Sequence, residues 1–341
     1  MGFALVRNGA CYRAFCRYMT QELVHTIPFW VWFIACSFAL IVQCGCVLGM
    51  APLLTGFIAW LSARLKGEPS FPITSRWRDI WHYCHRPSVH DAFQNLNRLF
   101  ICCAFVLMVS GGVFIPVFTL TVKGFPVPNL LLICSVLIGA MLMLVLSLAT
   151  QGYASAIKVS RRILGEGILL PALVPVFFLS RGHDLRTFLT KIYTLSPLTN
   201  GVAYVLAGLA VCVVGIFSID EGADHGEYDG AVLPLTGFEK GLWLLTFDCI
   251  RVYWLTLAVD IAWVTSLAVP MDVLGDVSVS QWLDQCVEGM GLWVCKLSVV
   301  SLGLVGIRFV ATSSTRIMQI RGGSVFLLGV LAWQMAYAYV P

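Results

Sequence analysis

Asp248, Arg251 and Asp260 stand inside a stretch, roughly 241–269, that is otherwise apolar. Asp248 and Arg251 are three residues apart, about one helical turn, so they can pair on one face of a helix. Lys296 is placed in the same way within a later apolar stretch. Charge in such surroundings is costly and ordinarily faces a bundle interior or a wet cavity. Two readings fit these four residues. They serve function or face a partner, or they form a structural ion pair with long side chains snorkelling toward water.

Two further clusters could do chemistry. His82, Cys84, His85 and His90 lie in the basic loop 62–98, and imidazole with thiolate suits zinc or iron. Their spacing matches no finger and no second ligand pair follows, so an interfacial, partly exposed patch is the plainer reading and no metal site is assigned. The second cluster is acidic. Asp220, Glu221, Asp224, Glu227 and Asp229 crowd one loop, which reads as a solvated turn or as carboxylates guarding a proton or ligand path. No nucleophile elbow, P-loop, dinucleotide-binding glycine signature or HExxH is present, and the paired aspartate motifs of intramembrane prenyltransferases are missing as well. No catalytic, cofactor-binding or metal-ligating residue is assigned.

The elements that must position these residues follow from composition. Of 341 residues 59% are hydrophobic and 12% charged, against about 25% charged in soluble domains. Lipid is the solvent that can host such a chain. The apolar runs are continuous rather than alternating, so the expected fold is all-α and polytopic, not a barrel. A span needs about 20 apolar residues. About eight candidates meet or approach this, at 27–61, 99–122, 130–157, 167–179, 201–219, 241–269, 289–310 and 323–340. They are expected to form one transmembrane domain. The first is too long for an upright crossing and predicts a long tilted helix. The fourth is short and contains Pro171 and Pro175, which predicts a kinked or broken span. The first apolar run exceeds a signal-peptide core and lacks its cleavage site, so it reads as a span. About thirteen of the 22 Lys and Arg fall in odd-numbered loops, which points to cytoplasmic odd loops and outside termini. The net charge of +4 is too mild to argue for nucleic acid. Most of the 13 cysteines lie in apolar runs, where a thiol packs as a small hydrophobe.

The first loop carries a more specific pattern. Ala51-Pro52-Leu53-Leu54-Thr55-Gly56 is followed by Ala63-Arg64-Leu65-Lys66-Gly67, then Arg78-Asp79-Ile80 and Pro87-Ser88-Val89. Ser160-Arg161-Arg162 with Pro171, and Lys296 early in the seventh span, add weaker matches. Together these resemble the membrane-anchor family shared by complex I (subunit 1) and membrane-bound [NiFe] hydrogenases (formate hydrogenlyase subunit 4, hydrogenase-4 component C), with the hydrogenase branch closer. The chain departs from the family at several points. Glu68-Pro69-Ser70-Phe71-Pro72 replaces a basic linker, and Arg162, Leu170 and Arg308 stand where the family has glutamates. Ile219-Asp220-Glu221-Gly222-Ala223-Asp224 echoes the family's acidic segment loosely.

The resemblance implies a membrane-anchor subunit of an energy-converting [NiFe] hydrogenase or complex I-like oxidoreductase, multi-pass in the cell (inner) membrane. It implies no cofactor on this chain, with iron–sulfur and NiFe centres in peripheral partner subunits and antiporter-like membrane neighbours beside it. Use of quinone stays open. Arg64, Arg78 and Asp79 are the expected docking residues. Glu166, Asp220, Glu221, Asp224 and Lys296 are the expected charge-coupling residues, with Glu166 one turn from Arg162. The alternative is a stand-alone multi-pass transporter or scaffold without a redox partner, supported by the proline-broken fourth span.

Overall fold

The computed structural model describes residues 29–87, 94–119, 129–150, 235–263 and 279–310, with the isolated residues Leu185, Leu189, Gly208, Leu267 and Val330. Among these residues the regular structure is helical, without strands. The helices are α1 (Phe29–Lys66), α2 (Ser75–Cys84), α3 (Gln94–Val113), α4 (Leu130–Ala149), α5 (Gly237–Ala262) and α6 (Val279–Val310). All except α2 are long and apolar enough to cross a membrane. The chain is a multi-pass membrane protein.

The spans are helices, which close most of their backbone hydrogen bonds internally, as a medium without water demands; in α1 the ladder is interrupted at Pro52. The 38 residues of α1 extend roughly 57 Å at 1.5 Å per residue, well beyond a hydrocarbon core of about 30 Å. The helix stops where the sequence changes to Ala63-Arg64-Leu65-Lys66-Gly67. Gly67 takes a left-handed φ of 73°. Its N–H donates to Arg64 O at 3.2 Å, and Glu68 N–H donates to Ala63 O at 2.9 Å. Those two bonds define a Schellman stop, and glycine accepts the left-handed turn without a Cβ clash.

α3 and α4 form an antiparallel pair. The Thr150 hydroxyl, just past α4, donates to Asn97 Oδ1 near the start of α3, while Gly111 near the end of α3 meets Val136 early in α4. α5 is buried on nearly every face and is the common neighbour of all the others. Trp243 donates from α5 to Leu144 O of α4 at 3.2 Å, and Gly112 of α3 gives room to the Tyr253 ring. The Arg98 guanidinium sits 6.0 Å over the Phe238 ring. Since Arg98 meets Phe238 and Gly112 meets Tyr253, α3 runs parallel to α5. Outward faces of α1 and α6 carry Trp30, Ile34, Phe38, Val287 and Val299, apolar side chains suited to lipid.

The boundaries differ from hydropathy at several points, among them the start of the second span at Gln94 rather than 99 and the end of the third at Ala149 rather than 157. The second span stops at Val113 rather than 122, because Gly111, Gly112 and Pro116 break the helix although the apolar run continues. The irregular backbone beyond it is served from within: Gln43 Oε1, buried on α1, accepts N–H bonds from Val117 at 2.7 Å, Phe118 at 3.2 Å and Thr119 at 3.4 Å. The sixth span ends at Ala262 rather than 269. The seventh begins at Val279 rather than 289. Asp284 and Glu288 depress hydropathy there, yet Trp282, Cys286 and Gly289 are buried along one face. α1 runs five residues past 61, to Lys66, because its charged last turn still continues the helix. The candidates at 167–179, 201–219 and 323–340 lie outside the described residues, apart from the single residues Gly208 and Val330.

Candidate functional site

The short helix α2 is amphipathic, and two glycines let it seat closely on two spans. A Cβ at Gly56 of α1 would collide with the backbone carbonyl of Ile73, just before α2. A Cβ at Gly241 of α5 would meet Cys84 Sγ at 2.6 Å and Ile80 O at 3.1 Å. The loop 68–74 turns into α2 through a Ser75 N–H bond to Pro72 O of 2.8 Å. Both ends of the 73–84 segment therefore rest on glycines at one end of the bundle, so α2 lies across that end.

Two adjacent side chains reach deeper. Arg76 Nε donates to Asp248 Oδ2 at 2.9 Å, and a second guanidinium nitrogen lies 3.4 Å from Oδ1. Trp77 Nε1 donates to Gly49 O at 3.0 Å. Asp248 is seven residues beyond Gly241, and Gly49 is seven before Gly56, each step worth about 10 Å of helix. That reversal of direction means α1 and α5 are antiparallel, with Arg76 and Trp77 inserted like prongs between them. Gly49 adjoins Leu48, whose carbonyl Pro52 leaves without its helical donor. The indole thus bonds to α1 where its ladder is already broken. Lys240 completes the seat, with Nζ 4.4 Å over the Tyr83 ring.

Asp248 is fully buried and has a second cation, Arg251, at 3.9 Å on its own helix. The pairing of Asp248 with Arg251 is therefore present, but Arg76 is the closer partner. Sequence reasoning missed Arg76. Its loop gave no distance to Asp248, 172 residues away, and the available signal was a Trp-flanked arginine on the apolar side of a ten-residue amphipathic helix.

The expected docking residues all lie on the exposed side of this end. Arg78 and Asp79 are exposed on α2. Arg64 is exposed near the end of α1, eight residues or about 12 Å past Gly56, with its guanidinium 5.5 Å over the Trp60 ring. The nearby histidines and cysteine do not converge. His85 Nδ1 donates to Trp81 O at 2.8 Å, its ring lies 4.4 Å from that of Trp81, His82 is exposed, and Cys84 turns inward to Gly241. Burial pushes the Cys84 thiol above its ordinary range. No group of three metal-ligating side chains comes together among the described residues; His90 lies outside them.

Lys296 belongs to a separate centre. Its Nζ is 3.8 Å from Asp260 Oδ1, donates to Trp263 O and sits 5.5 Å from the centre of the Trp263 ring. The cation thereby caps the C-terminal end of α5, where the helix dipole favours positive charge. Asp260 Oδ2 is buried and accepts no hydrogen bond. Trp293 of α6 donates to Thr256 Oγ1 at 3.0 Å one turn away. Asp260 is twelve residues from Asp248, about 18 Å along α5, so the two buried carboxylates occupy different depths. Glu166, Asp220, Glu221 and Asp224 lie outside the described residues.

No protein-family model matches the chain, and no curated protein sequence is similar to it. Among solved structures, it is similar to a chain of the membrane-bound sulfane sulfur reductase, an archaeal respiratory membrane complex. The TM-score is 0.68 at 14% identity, covering 88% of this chain and 99% of that one. The likeness is one of fold and spans nearly the whole of both chains.

Proposed function

We propose that this protein is the membrane-anchor subunit of an energy-converting [NiFe] hydrogenase or complex I-like oxidoreductase. It docks a peripheral redox module and couples that module to ion translocation. The observation that carries this reading is the near-complete fold likeness to a chain of a respiratory membrane complex. The first-loop motif supports it, since its Gly56 and Ile80 help to seat α2 while its Arg64, Arg78 and Asp79 stay exposed. In this reading, iron–sulfur and NiFe centres belong to the docked subunits, and this chain contributes position and charge. Arg64, Arg78 and Asp79 form the docking surface. The coupling residues are Asp248 with its two arginines, Lys296 with Asp260, and the carboxylates Glu166, Asp220, Glu221 and Asp224. Antiporter-like subunits carry the ions.

The test is purification of the tagged chain from its native membranes in mild detergent, with identification of every bound subunit and assay for iron, labile sulfide and nickel. A stoichiometric complex carrying redox centres is the expected result. Recovery of the chain alone, or with subunits that carry none, refutes the anchor role.

A further inference from the structure

The inner face of α2 is spent on the bundle. Arg76, Trp77, Ile80 and Cys84 point to α1 and α5. At 100° per residue, the direction opposite this face is occupied by Arg78, His82 and His85, at i, i+4 and i+7. All three are exposed, and Trp81 beside them is 66% exposed. Because the inner face of α2 packs on α1 and α5, this stripe lies on the side of the helix turned away from the bundle. Exposed arginines extend the basic field on either side, Arg64 on α1 and Arg86 just after α2. Among the described residues Asp79 and Glu68 are the exposed acids nearby, so the described part of this surface is net basic.

Arginine and tryptophan are the residue types that most often dominate binding energy at interfaces, and a basic patch steers and orients an acidic one. We infer that the Arg78–His82–His85 stripe, with Trp81 as its apolar anchor, docks an acidic surface of a soluble protein partner. This rests on the anchor reading for where a partner binds and adds the chemistry of the surface that it presents. The same short helix bears the stripe outside and the Arg76 prong inside. A partner held by Arg78 is thus only two residues from the group that neutralises the buried Asp248.

The experiment uses the full chain in its native complex. A benzophenone amino acid replaces His82, is photolysed in native membranes, and the adducts are mapped by mass spectrometry. The expected adduct lies on a soluble subunit, in a segment with clustered Asp and Glu. The double variant Arg78→Glu/His85→Glu should weaken that subunit's binding at least tenfold at low ionic strength and less at high salt. Charge reversal of the facing carboxylates should restore it. The neutral pair Arg78→Gln/His85→Gln, with an intermediate loss, separates charge from misfolding. Adducts on phospholipid alone, on a membrane-spanning neighbour, on a soluble segment without acids, or no adduct at all would overturn the inference. An acidic partner lacking iron and nickel would leave the docking chemistry standing and sink the redox-anchor reading. A redox subunit docked elsewhere would do the reverse.

Discussion

Replacing Arg76 with methionine should loosen α2 from the bundle without disturbing the spans. Asp248 has no solvent exposure, so the interaction lost is not replaced by water. Of the two bonds to the carboxylate, the one at 2.9 Å is well formed and the one at 3.4 Å is long. A hydrogen bond between charged groups contributes about 1.5–3 kcal/mol. Methionine keeps part of the aliphatic packing, and Arg251 at 3.9 Å leaves the carboxylate a nearby cation. The expected cost is about 2 kcal/mol, on the order of 30-fold in the opening equilibrium of the helix. Hydrogen exchange of the intact protein in nanodiscs reads this directly: amides of residues 75–84 should exchange about 30-fold faster, while those in the middle of α5 hold their rates. Asp248→Leu alone should cost more, about 3–5 kcal/mol, since it removes the buried anion that both guanidinium groups face. In the double variant the effects should fall short of their sum by about 1–3 kcal/mol. Unchanged exchange over 75–84 in Arg76→Met, or strictly additive effects, would show that glycine seating and Trp77 hold α2 and that the ion pair does not.

Gly241→Ala should displace α2 as well. Its Cβ meets Cys84 Sγ at 2.6 Å, so the added change Cys84→Ala should recover much of the loss in a thermal-unfolding series. Cys84 itself should react slowly with maleimide at pH 7, because its raised pKa reduces the thiolate fraction, and Arg76→Met should speed the reaction. Lys296→Met should destabilise the protein by about 3–5 kcal/mol by leaving Asp260 buried without its cation. Pairing it with Asp260→Leu should return most of that loss, again measured by thermal unfolding. Gln43→Leu removes the acceptor of three backbone N–H groups, at about 1–3 kcal/mol for a stranded buried donor. Exchange at residues 117–119 should rise with it.

Composition alone was enough to place the chain in lipid, and periodicity-free apolar runs located the five described spans. It failed at their ends, for identifiable reasons. Hydropathy does not register that Gly111, Gly112 and Pro116 stop a helix whose neighbours stay apolar, nor that Asp284 and Glu288 can sit on the exposed side of a helix whose other side is buried. The site was half legible. Asp248 with Arg251, and Lys296 as an intramembrane cation, follow from local spacing. The closest partners do not, because Arg76–Asp248 and Lys296–Asp260 join segments whose separation in the chain gives no distance. Gly56 was visible within the first-loop motif and Gly241 was not, because the close approach of α2 to α5 joins segments far apart in the chain.

The two buried carboxylates of α5 are held by different kinds of partner, and this bears on which of them can sense events outside the membrane. Asp260 is bound to Lys296, whose backbone is part of another long span and whose ammonium also caps α5. Changing that contact requires moving one span against another. Asp248 is bound to Arg76 on a ten-residue helix that lies on the surface, and it has Arg251 waiting at one turn's distance on its own helix. A shift of α2 would withdraw one guanidinium and leave the other beside the carboxylate without any span moving. Coupling between distant sites needs an element that both sites bias. If a partner binds over Arg78 and Asp79, the exposed neighbours of Arg76, the Arg76–Asp248 contact is the one it would reach without displacing a span.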